Sequence, residues 1–119
     1  MLLFHIIDDF YLQGVLADMK CEGYLAPIVD FCPEYKNDHK MALFIHGLSW
    51  SIMINLPIMI KLDFQVGLFT CISIVLNLII HSYVDNLKAN KKTINLVQDQ
   101  SIHFIQVLAT FLIFVLINR

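Results

Sequence analysis

The sequence predicts an all-α, polytopic membrane protein: a four-helix transmembrane bundle whose first helix is amphipathic. Hydrophobic residues make up 58% of the 119 residues and charged residues only 15%, a balance far from that of a soluble domain. The hydrophobic residues also fall into long segments, and a helix needs roughly 20 such residues to cross a bilayer. The length allows one domain, so we expect residues 1–119 to form a single integral membrane domain.

The first predicted helix covers residues 2–19 and is the least apolar of the four. Its broad apolar face is interrupted by His5, Asp8, Asp9 and Gln13. Positions 5, 9 and 13 repeat every four residues, so they form one line along a helix. That line can face the interior of a bundle while leucine, isoleucine and phenylalanine face lipid.

The remaining chain predicts a loop and three more helices. Glycine, proline and charged residues make residues 20–40 a polar loop, with room for a short interfacial helix at residues 24–31. Residues 41–60 form the clearest spanning segment, because they carry no formal charge apart from a histidine. The third helix is expected over residues 64–85 and the fourth over residues 95–117.

The placement of lysines predicts the orientation. If the four helices alternate, the first loop and the third link share one side and carry six lysines, whereas the other side has only Lys61 and Arg119. By the positive-inside rule the lysine-rich side is cytoplasmic and both chain ends lie outside. The six lysines are Lys20, Lys36, Lys40, Lys88, Lys91 and Lys92.

Histidine and aspartate are paired along the chain. Three of the five histidines have an aspartate four residues away, a spacing that puts both side chains on one helix face, ~6 Å apart. The pairs are His5 with Asp9, His81 with Asp85, and His103 with Asp99. The last two pairs and His46 lie within about two turns of the predicted cytoplasmic helix ends, at similar depth.

This pattern predicts a metal centre. An aspartate near the middle of a spanning helix costs ~2.5–3.5 kcal/mol, so several of them must face one another. Clustered carboxylates repel unless they are protonated or a cation compensates them, and imidazole with carboxylate is the ligand set preferred by Zn, Mn, Fe or Ni. The expected ligands are Asp9, His46, His81, Asp85, Asp99 and His103. The alternative is that the pairs only hydrogen-bond near the interface or handle protons.

Any enzymatic chemistry has to come from this set, because the sequence has no nucleophile elbow, phosphate-cradling glycine loop or serine-centred triad. The first hypothesis is a metal-dependent hydrolase that acts on a phosphoester or another ester at the cytoplasmic membrane face. His5 or a carboxylate such as Asp9 would serve as the base, and Gln13, Lys88 and Gln100 would orient the substrate.

The second hypothesis is non-enzymatic, and the sequence leaves open whether the protein is an enzyme. A small membrane module could conduct protons or ions, or bind a protein partner through residues 20–40, in a phage or defence setting. Membrane lipids are the expected partners, and self-association stays open. The net charge of −2 argues against nucleic acid. Trp50 is expected to pack or face lipid, and His39 to be solvated.

Four motifs together resemble a family of uncharacterised bacterial and phage membrane proteins, domain of unknown function 3307. They are His5-x-x-x-Asp9-Phe10-x-x-Gln13, Leu43-Phe44-Ile45-His46-Gly47, His81-x-x-x-Asp85-x-x-Lys88 and Asp99-Gln100-x-x-His103. The resemblance implies a protein that is integral to the bacterial inner (cytoplasmic) membrane and has no established activity. The family has glycine where this chain has Asp8, which leaves open whether Asp8 or Asp9 faces inward. A looser likeness is to inner-membrane metal-dependent hydrolases.

Overall fold

The structure is a computed structural model that describes residues 1–118. Over that range the chain is helical and contains no strand, so the predicted all-α class is confirmed. The α-helices are α1 (Leu2–Ile6), α2 (Leu16–Met19), α3 (Ala26–Val29), α4 (Asp38–Lys61), α5 (Leu68–Ala89) and α6 (Leu96–Ile117). A π-helix follows α1 at Ile7–Leu12, and 3₁₀ turns occupy Glu22–Tyr24 and Pro33–Asn37.

In the part of the chain that the structure describes, three helices are long and apolar enough to cross a membrane. The spans are Pro33–Lys61, Leu68–Ala89 and Leu96–Ile117. The second, third and fourth predicted segments are therefore confirmed as helices, with ends that differ by a few residues. The last helix begins with a capping box, in which Asn95 and Gln98 satisfy each other's backbone N–H groups.

The first segment differs from the prediction. Instead of one helix over residues 2–19, α1 widens into the π-helix Ile7–Leu12, and the chain turns at Gly14, whose φ is +45°. Eleven helical residues extend only about 16 Å at 1.5 Å per residue, roughly half of the hydrocarbon thickness. The four-helix transmembrane bundle is thus three long helices with a fourth, shorter helix packed among them.

The short first segment lies in one half of the bundle. Met1 packs against the core cluster of Trp50, Ile54 and Val107, which lies near the middle of α4 and α6, and the segment runs from there towards the start of α4. Met1 therefore lies at about the middle of the bundle, and the prediction that both chain ends lie outside the membrane stays a prediction. Arg119, which the orientation argument also used, lies outside the described residues.

The bundle has two halves. The near half contains the N-terminal ends of α4 and α6 and the C-terminal end of α5, and the far half contains the other end of each helix. The near half includes the segment between α1 and α4, which is folded into short turns. The predicted interfacial helix is present in shortened form as α3, Ala26–Val29.

The interior of the bundle is mostly polar and its surface mostly apolar. Among the described residues 1–118, eight hydrophobic residues are buried, against seventeen polar or charged ones, while most of the large hydrophobic side chains are exposed. A soluble protein distributes these classes the other way round. This inversion agrees with the three candidate spans and indicates a membrane protein.

Candidate metal centre

Four elements of the near half bring the predicted ligands together. The π-helix supplies Asp9 and α4 supplies His46. The two remaining pairs come from α5, with His81 and Asp85, and from α6, with Asp99 and His103. All six predicted ligands are at most 5% exposed. They are Asp9, His46, His81, Asp85, Asp99 and His103. The i,i+4 spacing within α5 and within α6 turns each His–Asp pair towards the same interior.

The first group of ligands converges on His46. Its Nε2 lies 3.2 Å from Asp9 Oδ1, 3.1 Å from His81 Nε2 and 3.4 Å from Asp85 Oδ2. One imidazole N–H can be donated to only one of these atoms. Ligand atoms around a tetrahedral ion with bonds of 2.0–2.1 Å are about 3.3 Å apart, so the spacing fits a bound ion. Asp9, His46 and His81 could therefore hold a metal ion.

The second group converges on His103. Its Nε2 lies 3.3 Å from Asp85 Oδ1 and 3.3 Å from Asp99 Oδ1. His81, Asp85 and His103 also lie close enough together to hold an ion. Within residues 1–118 the buried Asp99 Oδ1 has no hydrogen-bond partner, and an unpaired buried carboxylate oxygen is costly. Asp85 faces the first group with Oδ2 and the second with Oδ1.

Two lysines reach the carboxylates of the centre. Lys20 Nζ lies 2.6 Å from Asp85 Oδ2, and Lys88 Nζ lies 2.7 Å from Asp99 Oδ2. Lys20 comes from the polar segment after α2 and is itself buried, a role that the sequence did not suggest. With Asp8 and Asp9, four carboxylates are balanced by only two ammonium groups. Two carboxylates therefore lack an ammonium partner, and protonated imidazoles or a divalent cation would offset their charge.

The π-helix turns two adjacent acids inward, which answers the question that the resemblance left open. Asp9 faces His46, whereas Asp8 accepts a hydrogen bond from Ser49 Oγ at 2.5 Å and lies 3.8 Å from His46 Nδ1. Asp8 Oδ2 has no hydrogen-bond partner. A carboxylate beside the second nitrogen of a ligand histidine fixes the orientation of that ring in many metal sites. Asp8 lies on this side of His46, but the 3.8 Å separation is longer than a hydrogen bond.

Trp50 supports the centre and does not face lipid. Its Nε1 donates to His5 Nδ1 at 2.7 Å, and its ring stacks on His81 with the centroids 4.2 Å apart. His5 in turn lies 3.2 Å from Gln100 Oε1, so it reaches the ligands through Gln100. His39, expected to be solvated, is buried and bonds the Lys36 carbonyl.

A cavity of about 310 Å³ opens the centre to the outside. Four of the five predicted catalytic residues line it: Asp9, Gln13, Lys88 and Gln100. The fifth, His5, lies behind Gln100. The Gln100 amide donates to Asp9 Oδ2 at 2.7 Å, and the Gln13 amide donates to the Asp9 backbone carbonyl. Phe10 also lines the cavity and is more than half exposed, so the opening is bordered by apolar surface.

Comparisons with protein-family models, curated proteins and solved structures find no match to this chain. The resemblance to domain of unknown function 3307 therefore stays a prediction, as does the bacterial or phage origin that it implies. The functional conclusions rest on the geometry of the centre.

Proposed function

We propose that the protein is a metal-dependent membrane hydrolase, which cleaves a phosphoester or another ester bond at the cytoplasmic face of the bacterial inner membrane. The observation that carries the proposal is the position of Asp85 between two groups of buried ligands, one of which reaches an open cavity at Asp9.

One divalent ion would offset the two carboxylates that lack an ammonium partner, and a second would leave positive charge that an anionic substrate or a hydroxide would balance. Asp9, His46 and His81 would hold the first ion, and His103 and Asp99 the second, with Asp85 shared. Nitrogen and oxygen ligands of this kind suit Zn, Mn, Fe or Ni. Such ions lower the pKa of a bound water and polarise the bond under attack.

The cavity residues would handle the substrate. Lys88 has a side chain that is 32% exposed, so its ammonium group can contact an anionic substrate as well as Asp99. Gln13 and Gln100 present amides at the cavity wall and would orient a phosphoryl or carbonyl oxygen. Asp9 is better placed than His5 as the base, because Gln100 separates His5 from the cavity.

Elemental analysis of the detergent-purified protein, beside its His81→Ala and Asp99→Ala variants, tests the proposal. We expect stoichiometric divalent metal in the wild type, less metal in both variants, and loss of hydrolysis across a panel of phosphoesters and carboxylic esters. Absence of bound metal from wild type purified without chelator, with hydrolysis unchanged in both variants, would contradict the proposal.

A proton-conducting module is the second candidate, and a line of hydrogen bonds favours it. From His103 the line passes to Gln106 at 2.9 Å, on to Asn77, then to Ser73 and from there to Asn55 at 2.8 Å. It carries polar groups from the centre into the far half. The measurement is proton flux into vesicles. Flux that Asn77→Leu abolishes, together with no hydrolytic turnover, would favour this candidate over the hydrolase.

The polar segment at residues 20–40 was the expected site of a protein partner, and part of it is held by the bundle. The Glu22 backbone N–H donates to Asn90 Oδ1 at 2.7 Å, and the Asn90 amide donates to the Lys20 carbonyl at 3.0 Å. Together with the Lys20–Asp85 ion pair, these contacts tie the beginning of the segment to α5. A partner would therefore have to use the later residues of the segment.

A further inference from the structure

A second cavity, of about 700 Å³, lies between α4 and α5 in the near half. None of its lining residues belongs to either ligand group. Ser82 and Asn86 of α5 and Asn90 just after it line this cavity, whereas Asp85 and Lys88 face the metal centre. The cavity is therefore a separate feature on a different face of the same helix.

The outer end of this cavity is cationic. Lys36, Lys40 and Lys91 line it, with Glu22 as the one carboxylate in the lining. Lys40 Nζ donates to Asn37 Oδ1, and Lys91 Nζ lies 5.9 Å above the ring of Tyr83. Within residues 1–118 none of these three ammonium groups forms a salt bridge, although Lys20 and Lys88 do. The lysines are thus available to an external anion.

The inner part of the cavity is apolar. Leu43, Phe44, Leu78 and Ile79 line it, and the exposed fractions of Phe44 and Ile79 are 47% and 59%. One turn further in, α4 and α5 approach so closely at Gly47 that a Cβ there would lie 2.2 Å from Ser82 Oγ. The cavity is therefore closed below and opens sideways, towards the apolar surface of the bundle.

We propose that this cavity binds an anionic phospholipid of the leaflet at the near half. The headgroup phosphate would contact Lys36, Lys40 and Lys91, and an acyl chain would lie against Phe44 and Ile79. Basic pockets between transmembrane helices at the cytoplasmic side are suited to anionic headgroups. Cationic and apolar linings one to two helical turns apart match the division between phosphate and acyl chain in a lipid. A free phosphate ion would use only the cationic part.

The test compares two double variants with the same change of charge. K40Q/K91Q removes two lining lysines, whereas K61Q/K92Q removes a lysine at the other end of α4 and the immediate neighbour of Lys91, neither of which lines the cavity. Native mass spectrometry would measure the binding of phosphatidylglycerol and of phosphatidylcholine to the full chain released from micelles.

We expect K40Q/K91Q to bind phosphatidylglycerol at least tenfold more weakly than the wild type, and K61Q/K92Q to bind it within twofold of the wild type. The affinity for phosphatidylcholine should differ little between the two variants. Equal weakening in both variants would overturn the proposal, because the lysines would then act only through general surface charge. Displacement of phosphatidylglycerol by millimolar inorganic phosphate would overturn it in favour of a free-anion site. All four lysines are exposed, so we expect unchanged thermal unfolding; if K40Q/K91Q unfolds early, K91Q beside K92Q gives the same comparison.

Discussion

In the near half of the bundle four elements surround carboxylates, imidazoles and lysines, whereas in the far half three helices surround a line of amides and hydroxyls. The near half needs the extra element because charged groups in a low-dielectric interior must be enclosed with partners of opposite charge. α1 and its π-helix provide both the enclosure and two of the acids.

The far half shows what happens without that requirement. Asn55, Ser73, Asn77 and Thr110 are neutral and bond one another across the helices. Two apolar cavities, of about 570 and 690 Å³, flank α6 there. Neutral groups that satisfy one another do not need a fourth element around them, so the far half can stay open to lipid.

Asp85→Asn should have the largest effect, because Asp85 faces one ligand group with each of its two carboxylate oxygens. Changes to groups that only support metal ligands cost about 10–100-fold in metal affinity, and loss of the shared ligand should exceed that. We expect both ions to be lost in elemental analysis, together with hydrolysis. Asp63→Asn, in the exposed link between α4 and α5, is the control and should keep its metal; retention of full metal content by Asp85→Asn would show that Asp85 is not a ligand.

Lys20→Met should come next. In the metal-free protein it leaves Asp85 without its cationic partner, and breaking a buried ion pair costs about 3–5 kcal/mol. Divalent metal should restore part of the lost stability. It should therefore raise the thermal unfolding midpoint of Lys20→Met more than that of the wild type. Lys61→Met should match the wild type with and without metal. If metal leaves the unfolding midpoint of Lys20→Met unchanged, Lys20 does not contribute to the metal centre.

Gly47→Val tests the close approach of α4 and α5 between the two halves. The added side chain meets Ser82 and Leu78, and overpacking of this kind costs about 1–3 kcal/mol. The matched control is Gly23→Val, since a Cβ at Gly23 has nothing within 4 Å. Denaturant-induced unfolding in micelles gives the difference. Equal stability of the two variants would mean that the helices separate easily at this point.

Asn77→Leu should have the smallest effect, and only on the far half. Hydrogen bonds between helices in membranes contribute about 0.6 kcal/mol on average, and Asn77 bonds Thr110 at 2.9 Å. We expect a small loss of stability and unchanged metal content, with Asn118→Leu as an exposed control. Loss of metal from Asn77→Leu would show that the two halves are coupled.

The sequence was sufficient to predict the three long helices and the clustering of the proposed ligands. Hydrophobic length predicts the helices, and the i,i+4 spacing of His81 with Asp85 and of Asp99 with His103 places each pair on one helix face. Charge in an apolar helix must face inward, so the pairs could be expected to meet. Their role as ligands is still a proposal.

The rest depended on contacts that no local pattern encodes. Lys20 meets Asp85 across 65 positions of the chain, and the ring of Trp50 finds His81 from another helix. The first segment was predicted too long because its apolar residues continue past Gln13, whereas the chain turns at Gly14 with φ of +45°. Its π-helix was missed because helical periodicity over six residues does not distinguish i→i+4 from i→i+5 hydrogen bonding.

That π-helix makes the number of residues between His5 and Gln13 as important as their identity. Its wider turn, closed by the bond from the Gln13 N–H to the Asp8 carbonyl, accommodates one residue more than an α-helix would. Deleting one residue there would rotate everything before it by about 100°, away from Trp50 and Gln100. Variants of this chain should therefore tolerate substitutions at Phe10 or Tyr11 far better than the deletion or insertion of a residue in this segment.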